Sequence, residues 1–403
     1  MAGYAAFGRG VLIGAGVAVA LAAAKASRTL ESPAADQAGG RGIAGDEKLI
    51  DWRLAERIAR RAAGTAPALH PALRDRLQAD YEGLLRDIEA PIARYTGIAL
   101  DLARTRIEVM DRPAWIRANM RSFRDLLAPV EEFYREETRG GAGASVAMIG
   151  GSRLVLSTQM GLLVGYLARR VMGQYDLSLL GTEPLEGGQL YFVEPNLQHV
   201  ERTLRVPGDE FRRWIALHEA THALEFEAHP WVRDHLNTLM RSYLRLLTED
   251  MRRQKGTRGL LSLSTRLVDN LRNGHSVIEA LQTGPQRELL SQLQALMSLA
   301  EGYSNHVMNA VGRTMLPNFD MIHDRVEHRQ RERSHAELWF LRVTGLGLKM
   351  EQYRRGQAFV DAVTAAHGVE MANRAWVSPA NLPTEAELGT PEAWVARLRA
   401  QSA

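Results

Sequence analysis

Apolar positions along this chain recur mostly at helical spacing. After Ile50-Asp51-Trp52 they fall at Leu54, Ile58 and Ala62, until Pro67 and Pro71 interrupt the pattern. Residues 73–95 carry Leu77, Tyr81, Leu84/Leu85 and Ile88 on one face, and residues 113–137 carry Trp115, Met120, Phe123, Leu126/Leu127 and Val130. A glycine-rich stretch over 140–151 reads as a gap. Residues 154–172 then read as a buried apolar helix, with Arg169 and Arg170 near its C-terminal end, where the helix dipole favours cations. Residues 188–196 break the rhythm. Leu190-Tyr191-Phe192-Val193 is aromatic and β-branched between Gly-Gly and Pro-Asn, which predicts a strand. Helical patterns resume over 209–228, 231–253, 265–271, 286–311 and 325–343, before a proline-marked tail and a last turn at 394–398. No repeat of fixed period is present. The expected fold is mainly α with a small β-sheet.

The N-terminal end is different. Residues 1–26 form an apolar, Ala/Gly-rich segment, uncharged over 10–24 and flanked by Arg9 and Lys25. The uncharged run is shorter than the ~20 residues a spanning helix needs. A signal peptide ending at Ala22-Ala23-Ala24, a weak membrane anchor, and an Ala/Gly helix without membrane function all remain open. Membrane association through this segment is therefore one expectation for partners. The location is cytoplasmic or membrane-associated, with secretion left open. Residues 27–48 read as a flexible linker and 49–403 as one folded domain.

Charge and composition narrow the chemistry. Lys plus Arg is 50 against 47 for Asp plus Glu, with no block of like charge, so nucleic acid is not an expected partner. Cysteine is absent, which removes disulfides, thiolate metal sites and Cys nucleophiles. Any metal must be held by histidines and carboxylates.

One motif meets that condition. His218-Glu219-Ala220-Thr221-His222 is an H-E-x-x-H sequence. On a helix the two histidines lie one turn apart and face one ion, while Glu219 stands beside them to act on water rather than to ligate. Phe211, Trp214/Ile215, His218, His222 and Glu225 form one apolar stripe, Asp209 suits an N-cap, and Pro230 ends the helix. A catalytic zinc takes three protein ligands and keeps one place open. Metzincin spacing would require Gly at 225 and His at 228, where this chain has Glu225 and Ala228, with His229 one place out of register. The alternative is a carboxylate from a later helix. Glu301 leads, because Leu290/Leu293, Met297 and Met308 make its face apolar, and a buried carboxylate is costly unless a cation meets it. Asn305 shares that face and can orient a ligand. His306 is the reserve ligand, and Tyr303 can polarise a carbonyl. His323, His328 and His335, among arginines, read as a solvated face, and His235 as a surface pair with Asp234.

The chain resembles the zincin-like metallopeptidases widespread in actinobacteria and their relatives, often labelled as associated with coenzyme F-420 biosynthesis. The resemblance runs from about Ile50 to Ala396. It is carried by Ile50-Asp51-Trp52, Val171-Met172-Gly173-Gln174-Tyr175-Asp176, the strand through Asn196, Trp214 to His222, Pro230 to Leu236, Glu301-Gly302, Gly345 to Met350 and the Trp376…Pro383 tail. It implies a mostly helical zincin-like domain with zinc on His218, His222 and Glu301, Glu219 as base, and a peptide or small amide as substrate. The family often carries His where this chain has Tyr303. Two rivals stand beside the zinc peptidase: a non-catalytic zincin-like scaffold, and an amidase acting on a small metabolite.

Overall fold

The computed structural model describes residues 48–66, 68–102, 105–139, 146–175, 188–253, 283–331 and 346–402. Helix α1 (Trp52–Ala62) starts where the Asp51 carboxylate accepts the Leu54 amide at 3.0 Å. Helix α2 (Pro71–Thr96), strand β1 (Arg106–Met110), helices α3 (Arg112–Arg139) and α4 (Val146–Ala168), and the short strand β2 (Gly173–Tyr175) follow. Strand β3 (Gln189–Val193) runs directly into α5 (Glu194–Leu204), and α6 (Gly208–Glu227) and α7 (Pro230–Arg253) come next. The C-terminal part holds α8 (Gly284–Met315), α9 (Phe319–Arg331), α10 (Leu346–His367), α11 (Val369–Asn373) and α12 (Pro391–Ser402), with three short 3-10 turns before the last. The fold is mainly helical with one small sheet.

The sheet order is β1-β3-β2. β3 pairs in parallel with β1, from Arg106↔Gln189 to Met110↔Val193, and antiparallel with β2, from Gly173↔Phe192 to Tyr175↔Leu190. Side chains alternate along β2 as the pleat requires. Gln174 turns toward α3, where its Oε1 accepts from Trp115 Nε1 at 2.8 Å. Tyr175 turns toward α6, where its hydroxyl donates to Glu227. On β3, Phe192 stacks on Tyr81 of α2 with ring centroids 3.9 Å apart. This small sheet is the floor along which α6 runs.

Several boundaries differ from the sequence pattern. The strand stops at Val193 rather than 196, because Pro195 falls in the first turn of α5, where its missing N–H costs nothing. α4 begins at Val146, inside the glycine-rich stretch. α6 begins at Gly208, so Asp209 and Glu210 sit in its first turn rather than at the cap. β1, β2 and α10 were not expected at all. Residues 1–47, the expected helix over 265–271, His335 and the stretch 332–345 lie outside the described residues. Among the described residues, no helix is long and apolar enough to cross a membrane.

Candidate metal centre

Helix α6 supplies two of the three groups. Every residue from Trp214 to Phe226 is buried, so this helix is enclosed on all sides rather than along one stripe. His218 and His222, one turn apart, hold their Nε2 atoms 3.2 Å from each other with the rings at 89°. Helix α8 supplies the third. A reciprocal capping box between Thr283 and Gln286 fixes its start. From Ala295 to Asn305 it is buried on every side, with α6 packed against it and α10 crossing it in backbone contact. At that crossing, a Cβ on Gly302 would lie 2.3 Å from the Gly356 carbonyl carbon, so only glycine lets the two backbones meet. The crossing sits one residue from Glu301.

Glu301 is fully buried, and its Oε2 lies 3.6 Å from the Nε2 of both His218 and His222. Neither of its oxygens has a hydrogen-bond partner among the described residues. Burial pushes its carboxyl up, while the cationic forms of the two imidazoles pull it further the other way, leaving it well below the usual carboxylate range. With both imidazoles neutral, as ligation of a metal requires, the ionised carboxylate would be a buried charge without a partner, at a cost of several kcal/mol, on the order of what unfolds a domain. The donor triangle tests whether a metal fits. Tetrahedral zinc with bonds of about 2.0–2.1 Å spaces its ligands about 3.3 Å apart. The observed edges of 3.2, 3.6 and 3.6 Å match that spacing. Among the described residues, His218, His222 and Glu301 are the group of His, Asp and Glu side chains able to hold one ion. The residues fit zinc.

Around the triangle the two histidines are held differently. His222 Nδ1 donates to Glu225 Oε2 at 2.8 Å, and Ser304 Oγ, 2.9 Å from the same nitrogen, donates to Glu225 Oε1 at 2.8 Å. A proton held on Nδ1 leaves the Nε2 lone pair free for a metal. His218 Nδ1 has no hydrogen-bond partner among the described residues. Neither Glu225 nor Ser304 was assigned this role from sequence. The usable signal was a carboxylate three residues after a ligand histidine on the same helix face.

Other candidates are placed elsewhere. His306 sits between Tyr95 and Asp361, with Nε2 2.6 Å from the Tyr95 hydroxyl and Nδ1 2.6 Å from Asp361 Oδ1. The Tyr303 hydroxyl donates to Asn373 Oδ1 at 2.6 Å, and burial together with Glu225 pushes its phenol well up. Asn305 is buried one turn beyond Glu301, and its Nδ2 makes no hydrogen bond among the described residues. His229 stacks on Trp376, and His235 leans on Trp231. Glu219 is buried beside His218, with its side chain against the backbone of Gly173.

A mostly helical domain with a small sheet beside an H-E-x-x-H helix, and a carboxylate from a second helix, defines the zincin-like class. The profile of that family, zincin-like metallopeptidase, matches residues 50–395, and the chain belongs to it. Among solved structures it is similar to a candidate hydrolase with a novel fold from Chloroflexus aurantiacus, at 38% identity and a TM-score of 0.64. That match covers 87% of this chain and 99% of the other. No curated protein matches the chain.

Proposed function

We propose that this chain is a zinc-dependent peptidase with His218, His222 and Glu301 as ligands and Glu219 as general base. The observation that carries the proposal is the donor triangle, whose three protein ligands leave one place of a tetrahedral ion for water or substrate. A structural site closes that place with a fourth side chain. Zinc held there supplies Lewis acidity, polarising a scissile carbonyl and lowering the pKa of a coordinated water toward about 7. Glu219, next to His218 on α6, takes the proton of the attacking water on its carboxylate and passes it to the leaving nitrogen. Glu225 and Ser304 keep the His222 proton on Nδ1 throughout, so the ring cannot turn its protonated edge inward. Burial of Glu219 and both imidazoles excludes bulk water from the transfer.

The test compares wild type with Glu219→Gln for metal content and for cleavage of proteome-derived peptides. The wild type is expected to bind one zinc and to cut. The variant is expected to keep the zinc and lose about 10²–10⁴-fold in turnover. Undiminished turnover in the variant removes Glu219 from the mechanism. A zinc-loaded wild type that cuts no peptide contradicts the peptidase assignment.

A further inference from the structure

We infer that Gly173 is a positioning residue for Glu219: the bare backbone of β2 forms the wall that holds this carboxylate in place. The inference rests on Glu219 being the proton acceptor proposed above. A Cβ on Gly173 would lie 2.6 Å from Glu219 Cγ, 2.8 Å from Oε1 and 2.9 Å from Cδ. Non-bonded carbons settle at about 3.5–4.0 Å, so one side of this contact would have to yield.

The strand cannot withdraw. Gly173 pairs with Phe192, and the neighbouring Met172 carbonyl accepts the Val193 amide at 2.8 Å. Gln174 is tied to Trp115 on the opposite face. Tyr175, on the same face as Gly173, is bound to Glu227 and lies against Phe226 with ring centroids 5.7 Å apart. Helix α6 cannot withdraw either, because it is enclosed along its whole middle and carries both imidazoles. The displacement would therefore fall on the Glu219 side chain from Cγ outward. Gly173 does not adopt a left-handed backbone, so alanine there is opposed by this contact and not by conformation. Glycine at this position serves to make room for a carboxylate, not to bend the strand.

The test uses zinc-loaded wild type, Gly173→Ala, Glu219→Ala and the double variant. Gly173→Ala is expected to bind zinc as the wild type does. Its kcat on a peptide that the wild type cleaves should fall about 100-fold, with KM little changed. Its thermal midpoint should fall by a few degrees. In the Glu219→Ala background the same change should leave the midpoint where it was, because the vacated space accepts the methyl group. Gly173→Ala with wild-type kcat, or with an equal midpoint drop in both backgrounds, overturns the inference. An active Glu219→Gln enzyme defeats the assignment of Glu219 and this inference together. An inactive Glu219→Gln beside a fully active Gly173→Ala defeats this inference alone.

Discussion

Near its start, α6 places Arg212 against the buried Glu194. The guanidinium reaches Glu194 Oε1 at 2.5 Å and Glu201 at 3.2 Å, while Gln198 donates to Oε1 at 3.1 Å and Tyr81 to Oε2 at 3.2 Å. Further along, the same helix places His218 and His222 against Glu301, which is as deeply buried as Glu194 yet accepts no hydrogen bond among the described residues. The first cluster contains its own cation and satisfies both carboxylate oxygens. It is complete as folded, and it joins β3 and α5 to α6. The second offers a carboxylate and two imidazole lone pairs in a triangle of ligand size and supplies no fixed cation. A buried carboxylate is informative only once its partners have been counted.

The sharpest contrast comes from neutralising each cluster in metal-free protein. Arg212→Ala strands Glu194 as a buried unpaired charge and should cost about 3–5 kcal/mol in denaturant unfolding. Glu301→Gln removes a buried charge instead. Its metal-free form should lose far less stability than Arg212→Ala, and zinc should raise its thermal midpoint less than that of wild type. A Glu301→Gln protein destabilised as much as Arg212→Ala would erase the distinction between the clusters.

A smaller effect is expected one shell out. Glu225→Gln leaves His222 in place but weakens the acceptor that fixes its tautomer. Zinc affinity should fall about 10–100-fold in a competition titration. An unchanged affinity would make the Glu225–Ser304 pair a packing feature only.

The smallest effect concerns a third carboxylate, at the C-terminal end. Burial pushes the Glu387 carboxyl up, but Arg397, at 2.7 Å, more than reverses this and holds it below its ordinary value. A carboxylate with a lowered folded pKa adds stability that is present above the unfolded value of about 4.3 and is lost as pH falls through the folded one. Stability measured from pH 6 downward should show this loss in wild type, and less of it in Arg397→Ala. Partial exposure keeps the effect small.

The helices that carry His218, His222 and Glu301 were legible because their apolar spacing is regular and because H-E-x-x-H requires only local geometry. Glu301 was legible because a charge on an apolar face is anomalous. β1 and β2 were not, since Arg106-Ile107-Glu108-Val109-Met110 and Gly173-Gln174-Tyr175 are short and acquire strand form by pairing with β3. α10 carries Gly356, a residue that by itself disfavours a helix interior. In the folded chain that glycine is what lets α10 touch α8 beside Glu301. The contacts of Ser304 with Glu225 and of Gly173 with Glu219 join distant stretches of chain, so no local pattern announces them.

The central claim is that three side chains from α6 and α8 share one zinc ion. Anomalous diffraction at the zinc edge from crystals of the purified protein tests it most directly. A single peak is expected about 2.0–2.2 Å from His218 Nε2, His222 Nε2 and a Glu301 oxygen, with a fourth ligand that is not protein. Zinc coordinated by four protein side chains, or a zinc-saturated crystal with no peak between these residues, would contradict the account.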